Sequence, residues 1–262
     1  MEMRQTAIAL LLTYAFLIVQ AKTYFPCSQI SAVLVNPGPS NHSVEAEFKS
    51  PDTVFIYRKV TESYYHAVYI NEDKESESYK AATDFSFNEW DNKNYHARKS
   101  AIEREKPGSF TKRETYDLPQ NWLPLYKYKD KYYLYDPSDG QSARTIINSQ
   151  EFIYWGMEGP APFPLKLVKK ISDTQYTLAL LNPFKQFPTP TQVTIHIIDP
   201  LTKLAVFEYA NQDGFCYYKL CIPAVSASNF DLIVNHCEET RQTEFEFDTI
   251  DYAQLLGTPN TR

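Results

Sequence analysis

Acidic side chains are the residues whose types and spacing come nearest to supporting chemistry. Asp136 and Asp139 stand three positions apart, and two carboxyl groups can divide the acid and base roles of a hydrolase. A proline and a serine separate them and Gly140 follows Asp139, a composition typical first of a turn. The sequence lacks the nucleophile-elbow, zinc-protease, phosphate-loop and dinucleotide-binding motifs. It therefore assigns no catalytic residue.

Metal binding has little support from the sequence. Glu244, Glu246 and Asp248 alternate with Phe245 and Phe247, which predicts three carboxylates on one face of a strand. Ca²⁺ or a basic partner would accept such a face, but three adjacent strand carboxylates supply too few ligands without a loop that folds around the ion. A solvated outer face is the simpler interpretation. Because the five histidines show no ligand spacing either, we predict no metal site and no cofactor.

Four cysteines, Cys27, Cys216, Cys221 and Cys237, predict two disulfides in an oxidising compartment. Cys216 and Cys221 lie in one predicted strand, where five residues hold their Cα atoms about 16 Å apart, too far for a bridge. If the chain folds back near residue 226, Cys216 comes to lie beside Cys237. The expected pairs are therefore Cys216–Cys237 and Cys27–Cys221.

Residues 1–21 have the pattern of a secretory signal peptide. Arg4 precedes an apolar run, and a small-residue cleavage site ends at Ala21. The run is short for a membrane span, so an uncleaved anchor is the weaker alternative. We expect a secreted or periplasmic protein with no transmembrane segment after signal removal.

Net charge and amino-acid composition indicate which partners and which fold class to expect. The net charge is −6, and carboxylates concentrate near the C-terminus, so we predict no nucleic-acid partner. Aromatic residues make up 15% of the chain while it has only 7 glycines, which favours strands over helices.

The periodicity predicts a mainly β fold: an antiparallel meander forming an up-and-down barrel or a two-sheet sandwich. One helix is predicted near residues 89–105, with Asn88 as its N-cap, and a short helix near the C-terminus. Residues 79–87 alternate as a strand would. Residues 22–118 are predicted to form an N-terminal β-rich part and residues 119–262 the meander, and the two parts are also compatible with a single domain.

Two long, proline-rich connections, residues 155–164 and 182–191, are predicted at one end of the meander because successive hairpin connections alternate between its ends. Proline stiffens a loop and rigid aromatic side chains give contact area at low entropic cost. The candidate ligand-binding residues on these connections are Trp155, Met157, Phe163, Phe184 and Phe187. The alternative is that these side chains fold inward and plug that end of the core.

These patterns together favour a binding protein that uses proline- and aromatic-rich loops to hold an apolar small ligand or a protein partner. Two other classes stay open. One is a secreted hydrolase of glycan or peptide with unidentified catalytic carboxylates, and the other is a structural surface module.

Overall fold

Hydrogen-bonded strands dominate the computed structural model, which describes residues 53–61, 64–139, 141–182, 190–211, 214, 216–237 and 244–257. The strands, in chain order, are β1 (Thr53–Thr61), β2 (Tyr64–Asn71), β3 (Asn121–Tyr128), β4 (Lys131–Asp136), β5 (Arg144–Ile147), β6 (Glu151–Gly156), β7 (Gly159–Ser172), β8 (Gln175–Leu180), β9 (Gln192–Asp199), β10 (Leu204–Ala210), β11 (Cys216–Pro223) and β12 (Leu232–Cys237). The helices are α1 (Glu77–Thr83), α2 (Glu89–Glu105), α3 (Tyr252–Leu255) and a 3₁₀ helix (Ala224–Asn229).

Eight of these strands close into an antiparallel barrel in the order β3-β11-β10-β9-β8-β7-β6-β5. Closure comes from β5, which returns to β3 through the pairs Asn121↔Ile146 and Trp122↔Thr145. The predicted mainly β fold with an up-and-down barrel, a helix over 89–105 and a short C-terminal helix is confirmed.

Buried side chains of the described strands pack together inside the barrel. Every second residue of each strand points inward, and an eight-stranded barrel is just wide enough for such residues to fill it. Trp122 and Phe207 are completely buried and lie with ring centroids 5.0 Å apart, and Tyr209 stacks on Tyr217 at 4.5 Å. The inner core is therefore packed and aromatic.

Outside the barrel, β4 continues the sheet through β12 and β2 to β1. β12 runs antiparallel to β2 but parallel to β4. Because β11, β3 and β4 are successive antiparallel neighbours, β11 and β12 run in the same direction. The 3₁₀ helix between them therefore carries the chain across the sheet to β12 rather than turning it back.

This crossover corrects the predicted Cys216–Cys237 disulfide. Cys216 is the first residue of β11 and Cys237 the last residue of β12, so the two lie at opposite ends of co-directional strands separated by β3 and β4. No two of the described cysteines lie at disulfide distance. Cys221 is buried in the barrel wall, and Cys27, its predicted partner, lies outside the described residues.

The predicted strand over residues 79–87 is wrong, because this segment begins with helix α1. The Ser76 side chain accepts the Tyr79 backbone N–H at 3.2 Å, and Glu77 occupies the first turn, where an acidic side chain is favoured. The Ser76 cap thus favours a helix here although the apolar residues alternate as in a strand. By contrast, the predicted N-cap of α2 is confirmed, since the Asn88 side chain accepts the Asp91 N–H at 2.8 Å.

The predicted strand at residues 244–248 is instead an irregular segment with one bridge, Lys127↔Asp248. Phe245 and Phe247 pack against Tyr126, Tyr128 and Tyr135 of the sheet. Among the helices that the structure describes, none is long and apolar enough to cross a membrane.

Candidate functional site

The predicted loop over residues 155–164 is mostly strand. Gly156 pairs directly with Gly159, so the connection between β6 and β7 is a two-residue turn. Trp155 is 2% exposed and lies outside the barrel wall, with Phe87 edge-on at 4.7 Å. Phe163 is 6% exposed and belongs to the barrel core. Met157, in the turn, is exposed.

Alternation explains how three prolines fit into β7. The Leu165 N–H donates to the Gln150 carbonyl, on the side of β6. Alternate residues of a strand direct their N–H groups to opposite neighbours, so Pro160, Pro162 and Pro164 occupy positions that donate nothing to β6. Pairing with β8 begins only at Leu165. The prolines therefore remove no hydrogen bond between β7 and β6. Their spacing is typical of a strand edge rather than a loop.

Helix α2 covers this edge. The Arg98 guanidinium donates to the Glu158 carbonyl at 2.8 Å and to the Pro160 carbonyl at 3.2 Å. Gly159 has φ +75°, and a Cβ there would lie 2.8 Å from the Trp90 ring. Trp155 and Phe163 are thus buried strand residues, Trp155 on the outer face of the barrel wall and Phe163 in the barrel core.

The second predicted connection, residues 182–191, is described only at Asn182, Pro190 and Thr191. Phe184 and Phe187 lie outside the described residues. Where this connection enters β9, however, the outer barrel wall has a groove of about 330 Å³. The groove is lined by Lys166, Ala179, Leu180, Thr191, Gln192, Ala210 and Asn211.

Small side chains create this outer-wall groove. Gln192 on β9 stands directly opposite Ala179 on β8 and Ala210 on β10, so it has an alanine on each side. Cross-strand neighbours share a face, and methyl groups leave a depression that longer side chains would fill. The backbone beneath is firmly paired: the Thr191 N–H donates to the Ala210 carbonyl at 2.9 Å.

The groove offers both apolar and polar contacts. Ala179 and Ala210 supply methyl groups, while Gln192 and Asn211 supply side-chain amides. Among the described residues that line it, Lys166 supplies the only charge and none is acidic. The Arg113 guanidinium lies nearby, because its Nε donates to the Lys166 carbonyl at 3.1 Å. This arrangement suits a small amphipathic molecule with an anionic group.

A polar network occupies a different place, on the flanking sheet. The Asn235 side-chain amide donates to the Tyr135 hydroxyl at 3.1 Å and to the Glu244 carboxylate at 3.4 Å, and its oxygen lies 2.7 Å from Nε2 of His66. The Tyr135 hydroxyl donates to Glu244, and its pKa is raised by burial and by that carboxylate. Ser138 donates to the other Glu244 oxygen at 3.2 Å.

The carboxyl pair proposed from sequence has one member in an unusual environment. Burial raises the pKa of Asp136 to about 6; the charge of Arg144 opposes this shift and that of Glu244 adds to it. Arg144 lies over the Trp155 ring at 4.6 Å and donates to the Ala81 carbonyl. Asp139 lies in the connection after β4. The raised pKa of Asp136 thus follows from its burial at the end of β4, a strand that helix α1 contacts.

Sequence reasoning missed Lys166, Gln192 and the two alanines, because their grouping depends on the registers of four strands. The Asn235 network was missed for the same reason. Of the two proline-rich connections predicted at one end of the meander, the one that ends at Thr191 leads to this groove.

No protein-family model, no curated protein and no solved structure matches this chain.

Proposed function

We propose that this chain is a secreted or periplasmic binding protein whose ligand lies on the outer wall of the barrel, in the groove beside Thr191 and Gln192. The proposal depends mainly on one observation. Side chains fill the barrel interior, whereas the alanines flanking Gln192 leave a depression at the end of the barrel where the proline-rich connection enters β9.

The ligand class follows from the lining. A volume of about 330 Å³ lies at the lower end of the range of small-molecule pockets. The methyl groups of Ala179 and Ala210 favour an apolar body, and the Lys166 ammonium favours a carboxylate or another anion. The ligand is therefore a small amphipathic anion, free or as the end of a peptide.

Phenylacetate is a suitable probe because it joins an apolar ring to a carboxylate. Its binding is measured by saturation-transfer NMR on the full chain. We expect Ala210→Trp, which fills the groove, to weaken binding at least about ten-fold, equivalent to about 1.4 kcal/mol. Ala97→Trp, at an exposed position on helix α2, is the matched control and keeps the wild-type affinity.

Lys166→Met removes the positive charge of the groove and so tests its contribution to binding separately from that of the groove's shape. It should weaken phenylacetate binding but leave the uncharged analogue phenylacetamide unaffected. Equal binding of phenylacetate by the wild type and Ala210→Trp would contradict the proposal.

A further inference from the structure

Cys237 and His66 face each other across the flanking sheet. They are directly opposed residues of β12 and β2, and opposed residues of an antiparallel pair direct their side chains to the same face with Cβ atoms about 4.5–5.5 Å apart. Cys237 is half-buried and so within reach of solvent, whereas His66 is buried. The strand register thus places the Cys237 and His66 side chains at opposed positions on one face of the sheet.

The network behind His66 defines its tautomer. The Asn235 amide group donates to Tyr135 and Glu244, so its oxygen is the atom that faces His66, and Nε2 of His66 carries the hydrogen in the 2.7 Å contact. In the neutral ring the lone pair is then on Nδ1. The Tyr57 ring packs edge-on against the imidazole at 5.2 Å and helps to fix its plane.

A nucleophile, an adjacent base and a third group that orients the base are the parts of a covalent catalytic site, recognised by roles rather than chain order. We propose that Cys237 and His66 form a nucleophilic pair, oriented by Asn235, that accepts acyl groups from activated esters. This site lies on the β2–β12 sheet and is separate from the outer-wall groove. It would be an activity additional to ligand binding.

The acyl transfer needs no reactant other than the ester and water. The Cys237 Sγ proton moves to Nδ1 of His66 as the Sγ–carbon bond forms, and the bond from the acyl carbon to the alcohol oxygen breaks. The imidazolium returns the proton to the leaving alcohol. Water then attacks the thioester, giving a carboxylic acid and the original thiol.

Acyl transfer suits the surroundings better than disulfide chemistry. Among the cysteines that the structure describes, no second sulfur lies at disulfide distance from Cys237. Cys221 is a poor competitor for an electrophile, because burial raises the pKa of its thiol to about 12 and the thiol is the unreactive form.

The test uses the full chain and p-nitrophenyl acetate. We expect a burst of about one equivalent of p-nitrophenolate, with one acetyl group located on the Cys237 peptide by mass spectrometry. Cys237→Ser should abolish this burst, and the matched control Cys216→Ser should retain it.

Two variants examine the role of His66. His66→Ala and His66→Gln should each slow the burst by about a hundred-fold or more, with folding checked by near-ultraviolet circular dichroism. Added imidazole should restore at least part of the rate in His66→Ala, which a purely structural role would not allow. Absence of a wild-type burst, acetyl on another cysteine, or a rate unchanged in both His66 variants would each overturn the proposal.

Discussion

Asp136 illustrates how single residues in this protein depend on their burial. It ends β4, and burial raises its pKa to about 6 although the positive charge of Arg144 acts in the opposite direction. The sequence indicated the carboxyl pair but could not indicate this environment, because the burial of Asp136 and its proximity to Arg144 and Glu244 arise only in the folded chain. A turn composition was all that the local residues could show.

This carboxyl group predicts a specific dependence of stability on pH. Its pKa in the folded chain lies above the value of about 3.9 expected in the unfolded chain, so the folded state holds the proton more tightly. Protonation of Asp136 should therefore raise the free energy of unfolding as the pH falls from about 7 to about 4, by up to roughly 3 kcal/mol. Asp136→Asn should be more stable than the wild type at pH 7 and lose that advantage near pH 4.

Urea unfolding at several pH values measures this difference, with Asp139→Asn as the control for removing a neighbouring carboxyl group. A difference between wild type and Asp136→Asn that is constant from pH 4 to pH 7 would show that the carboxyl group titrates normally.

Among the secondary-structure elements, capping residues and periodicity predicted some segments correctly and others wrongly. Helix α2 was predictable because Asn88 caps it and the helical period is unbroken. Helix α1 was not, because its short apolar alternation imitates a strand and only the Ser76 cap indicates a helix. The prolines of β7 suggested a loop, but they pair in register with β6 and stand at alternate positions whose missing N–H groups would point away from it.

The contact between the β6–β7 turn and helix α2 predicts an unequal cost for two glycine substitutions. Gly159 and Gly108 have φ values of +75° and +77°, but only at Gly159 would a Cβ collide, at 2.8 Å from Trp90. Gly108→Ala should lower the free energy of unfolding by about 1 kcal/mol from backbone strain alone. Gly159→Ala should lower it by about 2–3 kcal/mol.

Thermal and urea unfolding of the two variants provide the comparison. Equal losses would mean that the Trp90 ring of helix α2 does not pack closely against the turn.

Helix α2 also docks through a buried ion pair. Glu151 is 1% exposed and accepts hydrogen bonds from Lys99 at 2.8 Å and from Tyr95 at 2.5 Å. Lys99→Met would leave this carboxylate buried without a cation, and we expect a loss of about 3 kcal/mol in the free energy of unfolding. Adding Glu151→Gln should recover at least half of that loss, because the charge is removed while Tyr95 can still donate.

Chemical denaturation of the wild type, both single variants and the double variant gives the coupling energy. A double variant no more stable than Lys99→Met would show that the charge of Glu151 is not what Lys99 compensates.

At the scale of the whole molecule, the fold is set by pairings between distant segments. Adjacent hairpins from β5 to β11 follow from turn residues, which is why the meander could be predicted. Closure through β3 with β5 and β11, and the parallel pairing of β12 with β4, join segments about 25 to 100 residues apart and leave no local signal. The outer-wall groove depends on four strand registers, so it too could only be seen in the folded chain.

Packed side chains occupy the barrel interior, and we propose that the ligand lies outside it, in the groove across β7 to β10. Amide chemical-shift mapping of the ¹⁵N-labelled protein with phenylacetate distinguishes these two locations. We predict saturable shifts centred on Lys166, Gln192 and Asn211, and little change at inward-facing residues such as Ile195 and Phe207. Shifts centred on those inward-facing residues, or no saturable shift at the groove, would contradict the claim.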